Sequence, residues 1–162
     1  MIKADQLSDQ SAAEAVTDAQ GCSTDSLLSS YKTDASYRQE GRIYVTLRGD
    51  KARSKAEMMI ADALFLAGIQ YIYEPRMVFN GVVYHPDFLI LSPFSNKLLI
   101  WEHLGMFDDQ EYQHRAARKL EDYFAEAFLP GVNLILTYES KTMKLDSQTI
   151  EDIIQRLFAE SI

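Results

Sequence analysis

Two carboxylates stand in this sequence where apolar side chains are the rule. Asp87 follows His85-Pro86 at the head of Phe88-Leu89-Ile90-Leu91, and Glu102 lies just past the run Leu98-Leu99-Ile100-Trp101. An unpaired carboxylate among packed apolar groups is strongly disfavoured. The segment between the runs, Ser92-Pro93-Phe94-Ser95-Asn96, is turn-forming, so the two stretches are expected to fold back as antiparallel strands that bring Asp87 towards Glu102. At ~4 Å and an effective dielectric near ~20, two such charges repel by about 4 kcal/mol. A shared proton, a basic partner or a metal ion relieves that repulsion. Of these, a divalent cation held by carboxylate oxygens is the chemistry the pair is read for. The bland alternative is a strand-end salt bridge to an arginine.

The rest of the chain must supply a scaffold for that pair. A length of 162 residues with 47% hydrophobic content allows one domain with a real core. The single cysteine, Cys22, excludes an internal disulfide framework, which sets a reducing cytoplasm as the expected location. No apolar run approaches the ~20 residues that cross a bilayer, and the acidic start does not read as a signal peptide, so no membrane partner is expected. The net charge of −8 argues against coating nucleic acid by bulk electrostatics. The charge is uneven, however: residues 1–30 hold five acids and one base, whereas residues 31–60 hold seven bases and four acids. Arg38, Arg42, Arg48, Lys51, Arg53 and Lys55 form a basic segment that reads either as a phosphate contact or as an ordinary solvated surface.

Residues 1–36 are rich in Ser, Asp, Ala, Gln and Thr and are expected to be a disordered or weakly helical tail, dispensable for the fold of residues 37–162. Residues 42–47 read as a short strand or arm broken by Arg48-Gly49-Asp50. Ser54-Lys55-Ala56-Glu57 fits a capping box, with Met58, Ala61, Leu64 and Phe65 at helical spacing and Gly68 past the helix end. Tyr71-Ile72-Tyr73, Met77-Val78-Phe79 and the Asn80-Gly81 turn lead into the Asp87 strand. Asp108 or Asp109 caps a helix reaching about residue 128, stopped by Pro130-Gly131. A fourth strand is expected over residues 132–137, and a last helix from Ser147 carries Ile150, Ile153, Ile154, Leu157 and Phe158 on its apolar side. The order is helix, three strands, helix, strand, helix, which gives a mixed sheet covered on both faces.

That order, with an acid in the first helix, Pro86-Asp87 entering the second strand and Glu102 in the third after fourteen intervening residues, resembles the PD-(D/E)XK nuclease superfamily over roughly residues 53–140. Tyr84-His85-Pro86-Asp87-Phe88 and Trp101-Glu102-His103-Leu104-Gly105, with the Tyr-rich helix after Asp108-Asp109, look like an uncharacterised bacterial and phage branch of it. The resemblance implies a restriction-endonuclease-like αβββαβ core with a mixed four-stranded sheet. It also implies hydrolysis of nucleic-acid phosphodiesters, DNA before RNA, with Mg²⁺ or Mn²⁺ held by Asp87, Glu102 and the backbone carbonyl of His103, and by Glu57 through water.

The superfamily pattern wants lysine two residues after the second acid, where this chain has Leu104. In some branches that lysine has moved to the neighbouring helix. Lys119 is the candidate here, because Tyr112, Ala116, Lys119 and Tyr123 are spaced four, three and four apart and so share one helical face. Replacing Lys119 is then expected to abolish most activity while leaving stability nearly intact. Arg53, Lys55, His85, Gln113 and Arg115 are candidate nucleic-acid contacts. Glu57 has an equal second reading as the capping partner of Ser54, and the His103 side chain should point away from Glu102 by strand alternation. A zinc site from His85, His103 and His114 lacks the tight spacing of zinc motifs. The small size implies a homodimer or a larger protein partner for cutting duplex. The rival function is a degenerate nuclease-like module that binds nucleic acid or a protein partner without cutting.

Overall fold

The computed structural model describes residues 25–158. A short helix α1 (Asp25–Ser29) leads through an arm to β1 (Tyr44–Val45) and β2 (Lys51–Ala52), an antiparallel pair joined across Gly49, whose φ of +98° is open to glycine at no steric cost. Helix α2 (Lys55–Leu66) starts where the capping box expects it. The Ser54 hydroxyl oxygen accepts the Glu57 N–H at 3.1 Å, and Gly68 continues past the helix end at a φ of +69°. Strands β3 (Tyr71–Tyr73), β4 (Met77–Phe79), β5 (Val82–Tyr84), β6 (Phe88–Leu91) and β7 (Leu98–Leu104) follow. Helix α3 (Gln110–Ala125), strand β8 (Leu134–Tyr138) and helix α4 (Ser147–Phe158) complete the described chain.

The main sheet is mixed and four-stranded, in the order β3-β6-β7-β8, with only β7 and β8 parallel. Every residue of β6 and all but the first of β7 are buried, because the sheet is covered on both faces. Strand alternation sends Phe88, Ile90, Leu99 and Trp101 to the side where α2 and α4 pack Ile60, Leu64, Ile150 and Phe158. It sends Leu89, Leu91 and Ile100 to the opposite side, against Tyr123 of α3, Phe79, Phe128 and Leu28. Trp101 and Tyr123, one on each side, are fully buried. Truncating either to alanine would cost about 3–5 kcal/mol.

Four features differ from the sequence-based expectation. The Asn80-Gly81 turn forms, with both residues at positive φ as a tight hairpin requires, but it closes a separate two-stranded sheet, β4 with β5. Strand β6 pairs instead with Tyr71–Tyr73, so the hairpin is an insertion between neighbours in the main sheet. The fourth strand starts at Leu134, since the backbone at Val132, Asn133 and Leu134 bonds back to Leu129 in a turn. Leu157, expected on the apolar side of α4, and Phe65, expected on that of α2, are both exposed. Of the expected tail, residues 1–24 lie outside the described residues, but residues 25–36 do not behave as one: Leu28 is buried, and Thr33 bridges to Pro75. Among the described residues no helix is long and apolar enough to cross a membrane.

Candidate active site

Asp87 immediately precedes β6, and Phe88 of β6 stands opposite Trp101. One further register step sets Asp87 beside Glu102, where β6 has not yet begun and β7 is paired only with β8. Ile100 N–H and Leu104 C=O bond towards the β8 side, to Asn133 O and Glu139 N. By alternation, the His103 N–H and C=O face the other way, towards Asp87. The His103 N–H does donate to Asp87 Oδ2 at 2.7 Å, so the His103 carbonyl shares that edge.

Glu102 is held from α3. Lys119 Nζ lies 2.5 Å from Glu102 Oε1, and the Tyr123 hydroxyl donates to Oε2 at 3.2 Å. Lys119 also donates to the His85 carbonyl at 3.4 Å. The expected four-three-four face therefore exists, with Ala116 and Tyr123 buried and Tyr112 accepting the Gly105 N–H at 3.1 Å. Glu57 approaches from α2. Its Oε1 accepts from the Ser54 hydroxyl at 2.9 Å, and its Oε2 accepts from the Tyr73 hydroxyl at 2.5 Å and the Arg53 N–H at 3.2 Å. The carboxylate thus takes the Ser54 hydroxyl and the Arg53 N–H rather than the Ser54 N–H that a full capping box would use, and its charge also acts on Asp87.

The electrostatics of the cluster follow from burial. Loss of water and the charges of Glu102 and Glu57 push the Asp87 carboxyl well above the usual carboxylate range, and Lys119 and the His103 N–H only partly offset them. Burial works against the Lys119 charge, but Glu102 and Asp87 outweigh it and raise its pKa. Burial, then Glu102 and Asp87, likewise push the Tyr123 phenol up, so it remains a hydrogen-bond donor. The acids thus exceed the cations at the site, and Asp87 carries the imbalance. Their donors are hard oxygens, the type that Mg²⁺ and Mn²⁺ prefer. Among the described residues, no three His, Cys, Asp or Glu side chains converge as a complete metal-holding group. A cation here would therefore draw on two carboxylates, a backbone carbonyl and water, a set that suits an ion that keeps part of its hydration.

His103 points to the other side of the sheet, as alternation requires. The Thr137 hydroxyl lies 3.0 Å from both Trp101 Nε1 and His103 Nδ1, and His103 Nε2 lies 3.7 Å from Glu139. Burial holds the His103 pKa below its ordinary value, so the ring is neutral. The three histidines do not converge: His85 stacks on Tyr37, His103 lies behind the sheet, and His114 is exposed on α3.

The candidate nucleic-acid contacts divide. Arg53 and His85 border the acid cluster. Gln113 spends its amide on the Phe107 carbonyl at 2.5 Å, Arg115 pairs with Glu111 on the open surface, and Lys55 is exposed at the start of α2. Sequence reasoning missed Glu74. It is fully buried at a φ of +46°, with Arg42 Nη2 and Arg53 Nη2 each 2.5 Å from one of its oxygens. The available signal was an acid set between Tyr73 and Pro75, two residues bound for the core. This fork fixes Arg53, whose backbone N–H reaches Glu57, and so ties the basic segment to the acid cluster.

No family model matches the chain. It is 31% identical over 127 residues to Uncharacterized protein MJ1519 of Methanocaldococcus jannaschii. The match takes in 70% of this chain and 11% of that protein, so the chain spans about a tenth of its relative's length.

Proposed function

We propose that this domain is a divalent-metal-dependent nuclease with a restriction-endonuclease-like core, hydrolysing nucleic-acid phosphodiesters, DNA in the first instance. The observation that carries this reading is the Lys119–Glu102 contact at 2.5 Å. Leu104 occupies the position of the missing motif lysine and is buried, and α3 returns an ammonium to the second acid from a different element. The strand order β3-β6-β7-β8 and the flanking helices agree with the proposed core.

Asp87, Glu102 and the His103 carbonyl would hold Mg²⁺ or Mn²⁺, with Glu57 reached through water, and the ion would supply an acidified water and a counter-charge for the phosphoryl group. The chain's own groups do the rest. Lys119, anchored between Glu102 and the His85 carbonyl, orients the attacking water and donates to a phosphoryl oxygen as negative charge builds. Tyr123 keeps Glu102 aimed by its hydrogen bond, and the His103 N–H does the same for Asp87. One such site cuts one strand, so cutting a duplex needs a second copy or a partner.

A second reading draws on the same ion pair. An ammonium already on Glu102 neutralises it without a metal, as a nuclease-like module that binds but does not cut would require. Labelled single- and double-stranded DNA and RNA, incubated with Mg²⁺, Mn²⁺ or EDTA, separate the two. Metal-dependent cleavage that disappears in Glu102→Ala supports the nuclease. Binding without cleavage under every divalent ion overturns it.

A further inference from the structure

A cavity of about 440 Å³ lies beside β3, the edge strand of the main sheet. The arm over residues 33–41 forms one wall with Thr33 and Gln39, the β1–β2 hairpin forms another with Asp50 and Lys51, and Arg42 and Tyr73 complete the lining used here. The arm is pinned in place: Asp34 N–H donates to the Glu74 carbonyl at 3.1 Å, Thr33 bridges to Pro75, and Asp34 Oδ2 pairs with His85 Nε2 at 2.9 Å. A space of this size admits a phosphate group with part of the nucleoside that carries it.

The polar groups of the lining decide what it can hold. The Arg42 side chain is only 12% exposed, and Glu74 takes its Nε and Nη2, which leaves Nη1 without a hydrogen bond among the described residues. Lys51 is exposed on the hairpin wall and joins no salt bridge among the described residues. The acid of the lining is already matched, because Asp50 Oδ2 receives Arg48 Nε and Nη2, each at 2.7 Å, and the Tyr71 hydroxyl at 3.3 Å. Glu74, for its part, is shared between two guanidinium groups, those of Arg42 and Arg53. An anion is the ligand these groups fit, and a phosphate has oxygens enough to accept from a guanidinium N–H and an ammonium together.

The cavity is joined to the acid cluster. The Tyr73 hydroxyl donates to Glu57 Oε2, and the Glu74 N–H donates to the Asp87 carbonyl at 2.9 Å, so the cavity lies one strand over from Asp87. Asp87, Glu102 and Glu57 repel a polyanion, and a net charge of −8 offers no general attraction to offset them. Holding a strand at the acids calls for a cationic contact just outside them, and Arg42 and Lys51 stand there.

We propose that this cavity binds a phosphate group through Arg42 Nη1 and the Lys51 ammonium, and that on a bound nucleic-acid strand it takes a phosphate flanking the one at the acid pair. The strand as its source rests on the nuclease reading; the phosphate chemistry does not.

The test is a scan of labelled dT12 in which one phosphodiester at a time is replaced by a neutral methylphosphonate, with binding read by fluorescence anisotropy in Ca²⁺ and again in EDTA. The phosphate at the acid pair needs the cation, so its replacement should matter only in Ca²⁺. One other replacement should weaken wild-type binding about tenfold in both conditions. Lys51→Gln, an exposed position without an ion pair, should melt within about two degrees of wild type. It should lose the sensitivity at that second position, keep the one at the acid pair, and lower the slope of log affinity against log salt by about 0.7. Calorimetry with inorganic pyrophosphate in EDTA reads a free phosphate without any strand, and wild type should bind it several-fold more tightly than Lys51→Gln. Pyrophosphate binding of this kind with no binding of dT12 in either condition supports the cavity as a site for a free phosphate and removes the nuclease reading. A scan whose only sensitive position depends on Ca²⁺, with equal pyrophosphate binding by the two proteins, overturns the cavity site; a chain that still cleaves in that case leaves the nuclease standing without it. A loss in Lys51→Gln spread evenly over every position assigns Lys51 to the general field and overturns the site as well.

Discussion

Replacing Lys119 with methionine keeps most of the side chain's volume and removes its charge, and two separate losses should follow. Lys119 Nζ lies 2.5 Å from Glu102 Oε1, in a pair whose side chains are 22% and 6% exposed. Breaking a fully buried ion pair by removing one partner costs about 3–5 kcal/mol. Lys119 retains some contact with water, and Glu102 keeps its Tyr123 hydrogen bond and can take up a proton, so a loss of about 2–3 kcal/mol is expected here. At ~2–4 °C per kcal/mol for a domain of this size, that is a melting temperature lower by ~4–12 °C. The expectation differs from the one drawn from sequence, that the substitution leaves stability nearly intact, because the ion pair was not visible there. The double variant Lys119→Met, Glu102→Gln should recover most of the loss, because both charges are then gone. Cleavage by Lys119→Met should fall by roughly a hundredfold or more. Differential scanning fluorimetry and a single-turnover assay read the two effects. A Lys119→Met chain that melts within about a degree of wild type and cleaves normally would refute the reasoning at both points.

Three other perturbations test the surrounding structure. The Asp87 pKa is raised in the folded chain, so the stability tied to this group is fully present below the ordinary carboxylate range and is lost as pH rises through the raised value. Melting curves without metal should therefore show wild type losing ground to Asp87→Asn as pH rises across that window, and calorimetry should show Mn²⁺ binding to wild type strengthening over the same range, as proton and metal compete; parallel pH curves for the two proteins would count against it. Glu74→Ala leaves Arg42 and Arg53 without their shared carboxylate and should cost about 3–5 kcal/mol, with proteolysis opening first in the arm over residues 33–41. Uniform protease resistance would show that the fork does not hold the arm. Thr137→Val removes the oxygen shared by Trp101 and His103 and should lower stability by about 1–3 kcal/mol; an unchanged denaturation midpoint would contradict that network.

Local signals settled much of this molecule. The Ser54 N-cap, the glycine past α2, the Asn80-Gly81 turn and the apolar runs flanking Ser92–Asn96 act within a few residues of chain, and each feature forms as its chemistry dictates. Period-two alternation also put Asp87 and Glu102 together and turned the His103 ring away, because strand geometry leaves a side chain only two directions. The four-three-four spacing on α3 placed Tyr112, Lys119 and Tyr123 on one face for the same kind of reason. Pairing across the chain was another matter. That β6 joins β3 rather than β4 depends on which apolar surfaces can be buried together, and no short-range pattern encodes that choice. Glu74 drawing in Arg42 and Arg53, Asp34 reaching His85 across fifty-one positions, and Lys119 landing on Glu102 are likewise long-range contacts. The sequence determines that such charges exist; only the packed fold removes the water between them and so decides which partner each must take.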